Sequence, residues 1–64
     1  MEFLDYHGDI LKDNDVCRLR VEGGYVRVSQ TPEGKFFYTE IEDSASMYTL
    51  TETNSINLEL IYRH

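Results

Sequence analysis

The sequence predicts an all-β chain, a small antiparallel meander or SH3-like barrel of roughly five or six short strands forming one small domain over residues 1–64. Two observations carry that prediction. Short runs of alternating apolar and polar residues recur along the chain, and Gly, Pro, Asn and Ser turn signals separate them at intervals of roughly ten residues. Closure into a barrel would also remove the exposed edges of a small open sheet, and a single sheet that dimerises is the second architecture.

Residues 1–15 are the least patterned. Phe3, Leu4, Tyr6, Ile10 and Leu11 mark two short extended pieces around a turn at His7-Gly8-Asp9. A helix there is disfavoured because Gly8 interrupts it and no clear cap opens it, with coil as the third alternative. Asp13-Asn14-Asp15 has alternate acidic positions but lacks the glycine and terminal Glu of a calcium loop, so a solvated turn is expected.

Residues 17–30 form the clearest hairpin, with Gly23-Gly24 between two alternating runs. A two-residue turn there would use the positive φ that both glycines tolerate. It would set Val21 opposite Val26, Arg20 opposite Arg27 and Leu19 opposite Val28. Cys17, Leu19, Val21, Val26 and Val28 then face inward. The outward face carries Arg18, Arg20, Tyr25 and Arg27, much of the cationic charge in a chain with only six Lys and Arg.

Thr31-Pro32-Glu33-Gly34 reads as the next turn, Pro setting φ and Gly taking the positive-φ position. Residues 35–42 follow as a strand whose face depends on register. Phe37, Thr39 and Ile41 are expected inward, paired as Val28–Phe37 and Val26–Thr39, because the alternative points Glu40 and Glu42 at the core. Phe36 and Tyr38 then join the arginine face, and Glu40 falls opposite Tyr25.

After a polar loop at Asp43-Ser44-Ala45-Ser46, residues 47–52 make a further strand. Thr53-Asn54-Ser55 turns the chain, Asn54 or Ser55 taking the special φ. Residues 56–63 alternate cleanly, with Ile56, Leu58, Leu60 and Tyr62 inward and Ile61 outward. A three-residue loop would set Leu50 opposite Leu58 and Tyr48 opposite Leu60.

A chain of 64 residues buries only ~60% of the surface its unfolded form exposes, so it needs tight β packing or a partner. Its one cysteine excludes an internal disulfide, and Cys17 reads as a small buried hydrophobe in a reducing, cytoplasmic setting. Met1-Glu2 begins with an acid and no apolar run follows, so neither a signal peptide nor a membrane span is expected. The net charge of −6 disfavours nucleic acid and anionic membrane as partners.

Catalysis has little support. His7 and His64 are the only histidines, and neither has the neighbours of a triad or a metal site. No phosphate loop occurs, and so small a core offers no dry pocket to raise a carboxylate pKa. No catalytic residue, metal or cofactor is expected.

The arginine face has a structural reading, in which Glu22, Glu40 or a neighbouring acid neutralises it. Its functional reading is a contact for a larger protein, since arginine beside aromatics is the usual make-up of an interaction hot spot. On that reading Arg18, Arg20, Tyr25, Arg27, Phe36 and Tyr38 bind the partner. The chain would then be a non-enzymatic module that inhibits or modulates it, and economy of size suggests a phage or mobile-element inhibitor of a host enzyme. The alternatives are a nucleic-acid or small-anion binder using Arg18, Arg20 and Arg27, and a homo-oligomeric structural subunit such as a homodimer. Acidic mimicry of nucleic acid ranks below all of these, because dedicated mimics are more acidic.

Overall fold

In the computed structural model, residues 2–43 and 45–63 are described; Met1, Ser44 of the expected loop and His64 lie outside them. The strands are β1 (Val16–Leu19), β2 (Tyr25–Gln30), β3 (Phe36–Glu40), β4 (Met47–Thr49) and β5 (Leu58–Tyr62), with a one-turn helix α1 (Glu52–Ser55) before β5. They form one antiparallel five-stranded sheet in the order β4-β3-β2-β1-β5. An all-β antiparallel architecture is therefore correct. The sheet is open: β4 and β5 occupy opposite edges, where a closed barrel would pair them.

The hairpin β1–β2 keeps the expected faces but not the expected turn. Val26 pairs with Cys17, not Val21, and Arg27 with Val16, not Arg20. The chain turns over residues 20–23, with Leu19 N–H bonded to the Gly24 carbonyl and Gly23 N–H to the Leu19 carbonyl. Gly23 and Gly24 do take positive φ, 77° and 90°, at the end of this wider loop. The reason is long-range. The Asn57 carbonyl accepts the Arg20 N–H at 2.9 Å, its side-chain oxygen accepts the Val21 N–H at 3.2 Å, and its amide donates to the Glu22 carboxylate. Val21 is consequently 80% exposed, which corrects its expected place in the core.

The second hairpin turns the face of β3 over. Thr31 and Lys35 close a turn over residues 32–34, in which Gly34 adopts φ 91° and donates to the Thr31 carbonyl. This is the type I turn with a left-handed third residue, for which Pro32 and Gly34 are suited. Val28 then pairs with Tyr38 and Val26 with Glu40. Phe36 and Tyr38 pack against the core, and Phe37, Thr39 and Ile41 face away from it. The expected inward set was the reverse. Glu40, at the end of the strand, is only half-buried and Glu42, beyond it, is exposed, so the acids that argued against this register are not enclosed.

The C-terminal half departs furthest. Thr51 caps α1: its hydroxyl accepts the Asn54 N–H while the Asn54 side chain accepts the Thr51 N–H. Asn54 and Ser55 are helical, and Asn14 is the only non-glycine at positive φ among the described residues. The helix carries the chain from one edge of the sheet to the other, so β5 pairs with β1 rather than β4. Leu50 and Leu58 still meet, in the core rather than across a ladder. Ile56 and Tyr62 are exposed, which corrects their expected inward placement; Tyr48 keeps its expected face, opposite Tyr38, but stacks on it at the rim rather than in the core.

The N-terminal segment supplies the second layer. Leu4 and Ile10 form an antiparallel bridge around a turn in which Gly8 takes φ 86°. Phe3 and Leu11 cover Cys17, Leu19, Val26, Val28, Leu50 and Leu58. Two buried carboxylates tie this layer down. Asp5 accepts the N–H groups of His7, Asp9 and Leu60. Asp15 accepts the Lys12 N–H and a two-pronged contact from Arg63 at 3.0 Å on each oxygen. Asp15 is wholly buried, so the expected solvated turn is solvated only at Asp13 and Asn14.

Candidate functional site

The sheet is covered on one face only. Strand alternation puts Val16, Tyr25, Phe37, Ile41 and Met47 on the other face, all exposed or half-exposed. Arg27 stands at its centre. It belongs to the middle strand, with Val16 beside it on β1 and Thr39 on β3, and Met47 beyond Thr39 on β4. Arg18 lies diagonally across, between Tyr25 on β2 and Glu59 on β5. Its guanidinium reaches Glu59 at 3.6 Å.

Of the residues expected to bind a partner, this face brings together Arg18, Tyr25 and Arg27. Arg20 does not join them. It sits in the loop of the first hairpin, with its guanidinium carbon 3.3 Å above the Tyr6 ring, a cation–π contact with the N-terminal turn. Phe36 and Tyr38 lie on the opposite face, where Phe36 meets Phe3 edge-on at 5.7 Å between ring centres. The pairing of Arg20 with Arg27 and of Glu40 with Tyr25 therefore does not occur; Ile41 takes the position opposite Tyr25. Phe37, Met47 and Val16 replace the missing aromatics. For Phe37 the alternation of β3 carries that signal, and the one-residue choice of register conceals it.

Electrostatics separates the arginines. Glu59 is the acid that β5 contributes to the open face, and it is already engaged. His7 Nε2 lies 2.8 Å from it. That hydrogen bond raises the His7 pKa above 6.5 and lowers the Glu59 pKa below 4.5, with Arg18 adding to the second effect. Arg27 forms no ion pair or side-chain hydrogen bond among the described residues.

Other chemistry is sparse. Cys17 is enclosed, and burial, reinforced by the Asp15 and Asp5 charges, pushes its thiol up to about 12; it is therefore no thiolate nucleophile. Among the described residues no group of three or more His, Cys, Asp and Glu is arranged to hold a metal ion, and no helix is long and apolar enough to cross a membrane. The surface hollows are small. One of about 230 Å³ lies between Arg27, Thr39, Glu40 and Ile41, another of about 330 Å³ between Glu2, Leu4, Glu52, Ser55 and Ile56. The first falls below, and the second only just above, the lower limit of about 300 Å³ for small-molecule sites. No family model, curated protein or solved structure matches this chain.

Proposed function

We propose that this chain is a non-enzymatic protein-binding module that docks on a larger partner through the open face of its sheet and so blocks or modulates it. The observation that carries this reading is the uncovered patch itself. Tyr25, Ile41 and Met47 are each exposed on one face of the sheet, around Arg27. Small monomers rarely expose contiguous apolar surface without a use for it. An apolar field with Tyr and Arg at its centre has the composition of a binding hot spot.

Nucleic acid and small anions fit less well. Arg20 is withdrawn onto Tyr6 and Arg18 is shared with Glu59, in a chain of net charge −6. Counterion release needs several free cations together.

The test is capture from an extract of the native source with wild-type bait beside a Met47→Asp/Arg27→Glu bait. Both baits should give the same circular dichroism spectrum, since both positions are outside the core. One protein retained by the wild type alone is the expected result. Equal retention by both baits would remove the open face from the mechanism.

A further inference from the structure

We propose that the partner presents an isolated carboxylate, an Asp or Glu side chain set among apolar groups, and that this carboxylate seats on Arg27. The inference rests on the docking reading above and specifies its chemistry.

The arginines of the described chain are in unequal states. Arg63 is bound to Asp15, Arg18 to Glu59 and Arg20 to the Tyr6 ring. Arg27 alone has no such partner among the described residues. Its position makes this consequential. Met47 and Thr39 lie to one side of it and Val16 to the other, so whatever covers the apolar patch covers Arg27 too. A guanidinium taken out of water without a counter-charge costs more than the surrounding apolar burial returns. The covering surface must therefore bring an acceptor, and a carboxylate meets the guanidinium fork with two parallel hydrogen bonds.

Among the described residues, the acids nearest Arg27 are not available for this role. Glu59 is held by His7 and Arg18. Glu40 borders the same hollow as Arg27, but it belongs to the other face, opposite Val26, and stays beyond ion-pair distance. The same fact disfavours a second copy as the occupant. A two-fold packing centred on the sheet would bring two Arg27 guanidinium groups together and supply no carboxylate between them. The net charge of −6 excludes the other extreme, a densely acidic partner, which the molecule would repel at long range. Charge complementarity thus selects a surface that is mostly apolar with one acid in it.

The experiment uses a random dodecapeptide display library selected on the immobilised full chain. The enriched peptides should carry one Asp or Glu beside aromatic or aliphatic residues. Arg27→Leu should weaken a synthetic copy of such a peptide about tenfold or more, with Arg27→Lys intermediate. Replacing the peptide acid by its amide should cost the same factor, and the two losses should not add. Enriched peptides without an acid, additive losses, or no enrichment over the naive library would each overturn the inference. Met47→Asp separates the two levels of the argument. Peptides that ignore Arg27→Leu but are lost on Met47→Asp would leave docking intact and refute the carboxylate. Peptides indifferent to both would refute the docking face as well. Sedimentation of the free protein as a dimer that Met47→Asp dissociates, or tighter retention of a labelled oligonucleotide than of any peptide, would also overturn the proposal.

Discussion

The Asp5 carboxylate accepts the Leu60 N–H at 2.8 Å, joining the N-terminal turn to the outer edge of β5. Its other oxygen holds the N–H groups of His7 and Asp9, and Tyr6 N–H donates to the Leu58 carbonyl two residues along the same edge. An edge strand left bare invites pairing with another chain. Here the N-terminal layer covers it. Asp5→Asn keeps the size but replaces one acceptor with a donor, leaving at least one buried N–H facing an N–H. Unfolding in urea should show a loss of about 1–3 kcal/mol. Asp9→Asn, an exposed control in the same turn, should stay within about 0.5 kcal/mol. Equal midpoints for the two variants would show that Asp5 does not hold the edge.

Arg63 closes the opposite end of the same layer, on the wholly buried Asp15 and on the Ile10 carbonyl. The fork geometry matters more than the charge, since two of its nitrogens bond both carboxylate oxygens. The thermal midpoint should therefore fall in the order wild type, Arg63→Lys, Arg63→Leu. The leucine variant is lowest because it strands a buried carboxylate. A lysine variant as stable as wild type would reduce the contact to simple charge neutralisation.

Local pattern made part of this arrangement legible. Moving the partner of Val26 from Val21 to Cys17 is an even step, so Cys17, Leu19, Val26 and Val28 remain inward, and Arg18, Tyr25 and Arg27 outward, whichever turn forms. Moving the partner of Val28 from Phe37 to Tyr38 is an odd step, and it exchanges the whole inward set of β3. No residue in that turn announces the difference, because Pro32 and Gly34 suit both loops. The other errors are long-range. Asn57 sets the first loop from a position remote in sequence. The pairing of β5 with β1 requires the capped turn at Thr51, whose Asn54 stands where a capping box more often carries Glu or Gln. The burial of Asp5 and Asp15 depends on donors at Leu60 and Arg63, which alternation cannot reveal. For the candidate site, Arg18, Tyr25 and Arg27 are readable from alternation, Arg20 is displaced by the wider first loop, and Phe37 and Ile41 are hidden behind the register of β3.

The two faces of the sheet should respond oppositely to truncation. Leu58 and Val28 are fully buried in the core cluster, and Leu58→Ala should cost about 2–5 kcal/mol. A chain of this size commands only roughly 3–10 kcal/mol in total, so that variant should be substantially unfolded by circular dichroism. Met47→Ala, on the open face and 65% exposed, should change stability by less than about 0.5 kcal/mol while weakening retention of the partner. Comparable losses of stability at both positions would mean that the open face is covered in the folded monomer.

The contact between His7 and Glu59 gives stability a specific pH window. The pKa of His7 is raised above 6.5, chiefly by its hydrogen bond with Glu59. Its contribution is therefore complete below 6.5 and lost as pH rises through the raised value. The pKa of Glu59 is lowered below 4.5, chiefly by the same bond, so its contribution is complete above 4.5 and lost as pH falls through the lowered value. The contact is thus fully present between 4.5 and 6.5. Both side chains are partly exposed, so the effect is small and weakens with salt. Urea midpoints taken near pH 5.5 and near pH 8.5, on either side of the ordinary histidine value, should fall further for wild type than for His7→Gln. Raising the ionic strength should shrink that difference. If the variant keeps the full pH dependence, another group carries it, and His7 does not fasten the N-terminal turn to β5.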